Sequence, residues 1–266
     1  VYIDDSAPVS ADDAPDEWVG SPVTVTLSAS DTYSGVASTH WTLNGSEPAT
    51  GTSVAVSAEG TNTVQYYSID TVGNREATRT AQVRIDDTAP ASSDDAPEGW
   101  VTHPVLVTLT PADALSGVSA LLYSTDGTEP SVPYTSPIAI AAEGTTYLKY
   151  AAIDIKGNIE PTRVATVTID TVAPVSSDDA PGEWVNGPVT LSLSVEETTS
   201  GFAHTDTLVD GVAGTYTESL VFSDEGTHTV AYASTDVAGN REATRTAYVY
   251  IDDSAPVSAD DAPDEW

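Results

Sequence analysis

Carboxylates are the side chains of this chain best placed to do chemistry: its 266 residues carry forty-one Asp and Glu against eight Lys and Arg, a formal net charge of −33. Their spacing recurs. Asp31 and Asp113 each open a D-x-x-S-G segment, and Asp70, Asp154 and Asp236 each open D-x-x-G-N. A third set follows V-x-I: Asp4 and Asp5, Asp86 and Asp87, Asp170, and Asp252 and Asp253. Crowded carboxylates repel one another unless a cation or protons compensate. Ca²⁺ accepts roughly six to eight oxygens in irregular geometry. The candidate ligands are therefore Asp4, Asp5, Asp31, Asp70, Asp86, Asp87, Asp113, Asp154, Asp170 and Asp236, with Ca²⁺ as the ion. The competing assignment is that the Asp of D-x-x-G-N closes an Asx-turn and the other acids are solvated. No compact loop with EF-hand spacing is present. Glu197 stands where Asp31 and Asp113 stand, which leaves the role of that position open in the last stretch.

Other chemistry has less to stand on. Asp12 and Asp13, Asp94 and Asp95, Asp178 and Asp179, and Asp260 and Asp261 recur in D-D-A-P, followed by Trp18, Trp100, Trp184 and Trp266. Such aromatics can carry sugars, but a Trp at one fixed place in a β-sandwich more often caps the core or packs on the next domain. Trp41 has Tyr123 and Thr207 at its equivalents, so it is no repeated feature. His40, His103, His204 and His228 occupy non-equivalent places, and the chain has no Cys. Neither a nucleophile–base pair nor a zinc site is suggested. Paired carboxylates alone do not make a glycosidase without a cleft, and we expect no enzyme. Asn44-Gly45-Ser46 is one N-glycosylation sequon.

The elements that must position these acids are repeated. Residues 1–18 (VYIDDSAPVSADDAPDEW) recur letter for letter at 249–266. Between them the pattern runs three times, giving units 1–82, 83–166 and 167–248, with 249–266 the start of a fourth. A period of about 82 residues selects several small domains over one large one. The recurrence leads us to expect that the native chain continues in both directions.

Alternation defines the strands. Val23, Val25 and Leu27 alternate with Thr24, Thr26 and Ser28; Val105, Val107, Leu109 and Val189, Leu191, Leu193 match them. Val64 and Tyr66, then Ala81, Val83 and Ile85, repeat the pattern, and no segment has a helical period. One apolar and one Ser/Thr-rich face is what an antiparallel sheet with one wet side requires. The fold class expected is all-β: three tandem immunoglobulin-like β-sandwich domains plus the first strand of a fourth. In that topology the B–C loop, the F–G turn and the incoming linker meet at one end, so the three sets of acids converge at each domain junction.

The string W-V-x-x-P-V-T-V-T-L-S-A-x-D-x-x-S-G-V, followed by E-G-T-x-x-V-x-Y-x-S-x-D-x-x-G-N-x-E, resembles the immunoglobulin-like or fibronectin-III-like repeats of large bacterial and archaeal surface proteins. These are sometimes classed as outer-membrane β-barrel-type domain repeats. The resemblance covers all three units and implies a seven-stranded sandwich serving as spacer, stalk, adhesin or filament subunit. We therefore expect a structural segment of a long extracellular or cell-surface protein: stalk, surface-layer element or filament. The alternative is an adhesin or carbohydrate-binding accessory module. The acidic surface repels nucleic acid and anionic lipid, and no apolar run is long enough to span a bilayer. Partners expected are neighbouring repeats, by self-association or within one chain, and cell-surface polysaccharide, without nucleic acid or direct membrane insertion.

Overall fold

The computed structural model describes residues 2–258, and every regular element in it is a strand. The first repeat contains β1 (Val9–Asp12), β2 (Trp18–Val19), β3 (Val23–Ser30), β4 (Val36–Leu43), β5 (Ala49–Thr50), β6 (Ser53–Val56), β7 (Gly60–Asp70) and β8 (Arg79–Ile85). They form two sheets, ordered β1-β3-β6 and β2-β8-β7-β4-β5. In immunoglobulin lettering these are A-B-E and A′-G-F-C-C′. The pairings are antiparallel except β2 with β8, which run parallel through Trp18↔Arg84 and Val19↔Ile85. The first strand thus changes sheets at Ala14-Pro15, where a proline cannot donate to a ladder. The repeat is an immunoglobulin-like sandwich of eight strands, two of them only two residues long.

The alternation read from sequence is the core. Val25, Leu27, Val54, Val56, Val64, Tyr66, Ala81, Val83 and Ile85 form one buried cluster between the sheets. Thr24, Thr26 and Ser28 face outward. The third repeat has its own cluster, from Val189, Leu191, Leu193, Phe222, Val230, Tyr232, Ala247, Val249 and Ile251. Its β-sheet lettering is the same, with strand B broken into Val189–Leu191 and Leu193–Glu196. The middle repeat follows the same order, with the same break between Val105–Val107 and Leu109–Ala112.

The chain divides into two compact units: Val1–Asp95 with Thr108–Pro137 and Leu148–Val164, and Ala96–Val107 with Ile138–Tyr147 and Ala165–Trp266. The first holds the whole first repeat, the second the whole third, and strands of the middle repeat fall in both. β8 continues through Gln82 and Val83 to Ile85, so Asp86 is the first residue beyond the sandwich. The opening strand of a fourth repeat, with Asp260, Asp261 and Trp266, lies outside the described residues. Among the described residues no helix is long and apolar enough to cross a membrane.

Candidate functional site: acid triads at the linkers

Each linker acid is folded into the loops of the sandwich that follows it. Asp86 leaves β8 and is fully buried. Its Oδ1 accepts from the Thr88 N–H at 3.1 Å and its Oδ2 from the Ser116 N–H, in the B–C loop, at 3.0 Å. Asp4 and Asp170 do the same: Asp4 takes the N–H groups of Ser6 and Ser34, and Asp170 those of Val172 and Ser200.

The D-x-x-G-N turn supplies the second carboxylate. Asp70 Oδ1 accepts the N–H groups of Val72, Gly73 and Asn74, and its Oδ2 accepts from the Asn74 side chain at 2.7 Å. Gly73 has φ +99°, a left-handed conformation that turns its N–H onto the carboxylate and that L side chains rarely adopt. Asn74 Nδ2 then reaches the linker carbonyl of Asp4 at 3.1 Å; Asn158 reaches Asp86 O at 3.1 Å and Asn240 reaches Asp170 O at 2.8 Å. Burial works against the charged form of Asp70, but the Asn74 side chain and N–H, with those of Gly73 and Val72, hold its carboxyl below the usual range.

The third carboxylate comes from the B–C loop. Asp31 Oδ1 accepts from Tyr33 and Gly35, Asp113 Oδ1 from Leu115 and Gly117, and Glu197 Oε1 from Thr199. Three triads result: Asp4–Asp31–Asp70, Asp86–Asp113–Asp154 and Asp170–Glu197–Asp236, each with one oxygen per residue mutually within 4.8 Å. Eight of the ten residues named from sequence fall in them. Asp5 and Asp87 do not; Asp87 turns back to accept from Ser21 N and Oγ and stands 3.9 Å from Lys156 Nζ. Glu197 supplies the third group at the last triad, a role the sequence left open. No Lys, Arg or His forms an ion pair with any of the nine carboxylates among the described residues. Backbone amides, with the side chains of Asn74, Asn158, Asn240 and Ser6, therefore supply the compensation seen, and the backbone part of it is the Asx-turn arrangement.

The remaining repeated letters are also hydrogen-bond positions. In D-D-A-P, the first acid accepts a tyrosine hydroxyl from strand F: Tyr66 on Asp12, Tyr150 on Asp94 and Tyr232 on Asp178, at 2.5–2.6 Å. The second acid accepts a strand-B N–H at 2.6 Å: Thr26 on Asp13, Thr108 on Asp95 and Ser192 on Asp179. The Glu of E-G-T takes the next linker's N–H, with Asp87 on Glu59, Thr171 on Glu143 and Asp253 on Glu225. The Glu of G-N-x-E is buried. Glu76 accepts from Ser10 N, Ser10 Oγ, Ser68 N and Arg79 Nε, and Glu242 from the equivalent Ser176, Ser234 and Arg245. Trp18 and Trp100 are half-buried beside strand G, whereas Trp184 is 60% exposed and lies 5.3 Å from the Tyr250 ring.

No family model matches the chain, and no curated protein matches it. Solved structures do. The fibronectin(III)-like modules of Clostridium thermocellum CbhA share 19% identity over 60% of this chain and 94% of that one, with a TM-score of 0.33. The three N-terminal domains of the bacteriophage RB49 outer capsid protein Hoc share 11% over 94% and 99%, with a TM-score of 0.41. The chicken CNTN1 FN1–FN3 domains share 11% over 91% and 98%, with a TM-score of 0.29.

Proposed function

We propose that this chain is a structural repeat segment of a long extracellular or cell-surface protein, acting as stalk, surface-layer element or filament subunit. The observation that carries this reading is the build of the linkers. At Asp4, Asp86 and Asp170 alike, the linker carboxylate, fully buried at Asp86 and Asp170 and half-buried at Asp4, grips the next B–C loop while the F–G Asn grips the linker carbonyl. A linker held at both its side chain and its main chain spaces domains; it does not tether them loosely. The net charge of −33 keeps such arrays apart from one another in solution.

Calcium is the ion that suits these triads in the reading we propose. Three carboxylates whose oxygens lie within 4.8 Å of one another, with no cationic side chain in an ion pair among the described residues, repel unless a cation compensates, and Ca²⁺ tolerates a mixed carboxylate and carbonyl set. Bound there, it would supply charge neutralisation at each linker. Titration of the chain with Ca²⁺ by calorimetry, alongside melting with Ca²⁺ and with chelator, tests this. Saturable heat with a raised melting temperature supports it, and the absence of both rejects calcium. The spacer reading has its own test: scattering from fragments of one, two and three repeats. The maximum dimension should grow by a constant step of about 35–45 Å per repeat, from strands of roughly ten residues plus loops. A step that shrinks with each added repeat would reject it.

A further inference from the structure

We infer that the first linker region carries a binding site for a neutral saccharide, built around Trp18. This goes beyond the spacer reading and does not depend on it. A recess of about 430 Å³ is lined by Asp16, Glu17, Trp18, Arg84, Ile155 and Lys156. Its lining is particular to this place. Where Arg84 stands, the later repeats have Thr168 and Tyr250; where Asp16 and Glu17 stand, they have Glu98-Gly99 and Gly182-Glu183; where Lys156 stands, the next F–G turn has Ala238. Among the described residues, only here do an indole, two carboxylates, a guanidinium and an ammonium meet.

The bonding capacity of these groups is largely unspent. The carboxylates of Asp16 and Glu17 accept no hydrogen bond among the described residues, and Arg84 makes one long bond, Nη1 to the Asp16 carbonyl at 3.4 Å. Lys156 Nζ donates to Asn158 Oδ1 at 3.1 Å and stands 3.9 Å from Asp87. The Asp87 carboxylate that holds Lys156 there is itself fixed by Ser21 N at 3.1 Å. Gly20 admits the lysine: a Cβ there would meet Lys156 Nζ at 3.2 Å and Asp87 Oδ1 at 3.0 Å.

Charge selects the ligand class. The lining carries two acids and two bases, and Asp87, 3.9 Å from Lys156, adds a third acid beside it. It gives no net attraction to an anion, which the whole chain repels, and its guanidinium and ammonium oppose a cation. An apolar ring face flanked by both donors and acceptors matches a pyranose, whose C–H face stacks on indole while its hydroxyls both give and take hydrogen bonds.

The test is calorimetric titration of the full chain with cellotetraose, xylotetraose and mannotetraose, repeated with Arg84→Thr, Lys156→Ala and Trp18→Ala. Arg84→Thr installs the residue the middle repeat already carries at this position, so it leaves the fold intact even where Trp18→Ala does not. Saturable binding of at least one sugar is expected. Arg84→Thr should weaken it about tenfold or more, the loss expected when a charged donor is deleted, and Trp100→Ala should leave it unchanged. No binding of any of the three sugars overturns the proposal. So does binding that survives Arg84→Thr and Lys156→Ala unchanged, or that is lost with Trp100→Ala.

Discussion

Glu76, Glu160 and Glu242 occupy the same position of the repeated motif, yet truncating them should have unequal costs. Glu76 takes two buried backbone donors, Ser10 N at 3.1 Å and Ser68 N at 2.9 Å, and Glu242 takes Ser176 N at 3.0 Å and Ser234 N at 2.8 Å. Each buried donor left unmade costs about 1–3 kcal/mol, so Glu76→Ala or Glu242→Ala should cost about 2–6 kcal/mol in its own repeat. Glu160 differs. It accepts from Ser92 Oγ at 2.5 Å and forms an ion pair with the half-exposed Arg163 at 3.3 Å, and its Oε2 is buried with no partner. The repeat has Ala152 and Leu121 where the others have Ser68 and Thr39, or Ser234 and Thr205. Glu160→Ala frees no buried amide and removes an unsatisfied oxygen; it leaves only the buried Ser92 hydroxyl without its acceptor, so its cost should be about 1–3 kcal/mol beyond the cavity. The lost methylenes are common to all three sites and cancel in the comparison. Urea unfolding followed by hydrogen exchange, which reports each repeat separately, measures the difference. Equal losses at the three positions, or the largest at Glu160, would refute the reasoning.

Three further outcomes follow from the same contacts. At Glu76 and Glu242, burial opposes the charged form, but Ser10 or Ser176, Ser68 or Ser234, and Arg79 or Arg245 outweigh it and lower the carboxyl. Their stabilisation is present above the unfolded value of 4.5 and is lost as pH falls through the lower folded value; acid melts should show it, and a stability flat below pH 4.5 would contradict it. His228 is raised above 6.5 by the Asp224 carbonyl and then Asp210, so its contribution is present below 6.5 and is lost as pH rises through the folded value; His228→Gln should remove that part of the pH dependence in melts across neutral pH. Leu191 is fully buried in the third cluster, and Leu191→Ala should cost about 2–5 kcal/mol and accelerate exchange in the third repeat while leaving residues 9–85 protected.

The sandwich was legible because inward and outward positions alternate with period two: Val64, Tyr66, Ala81 and Val83 could be assigned to the core one by one. The triads were legible one step later, since strand lettering places three loops at one end and each loop carries its own Asp. The buried Ser–Glu network was not. Ser10 and Glu76 each look like solvated surface residues, and what buries them is a contact across 66 positions that no local pattern announces. The pairing of E-G-T with the linker amide was missed for the same reason, at a separation of 28. Asp5 and Asp87 were grouped with the triads because adjacent residues in a linker share a charge but not a direction. In an extended segment, successive side chains point to opposite sides.

In the reading we propose, the carboxylate of Asp86, bonded to Thr88 N and Ser116 N, holds the linker between the first and middle repeats rigid. The chain has no cysteine, so spin labels can be introduced at Ser53→Cys and Thr110→Cys, both outward on strands. The distance distribution between them should be narrow in the otherwise unaltered chain and should broaden markedly with Asp86→Ala. A broad distribution in the unaltered chain, or one that Asp86→Ala leaves unchanged, would contradict it.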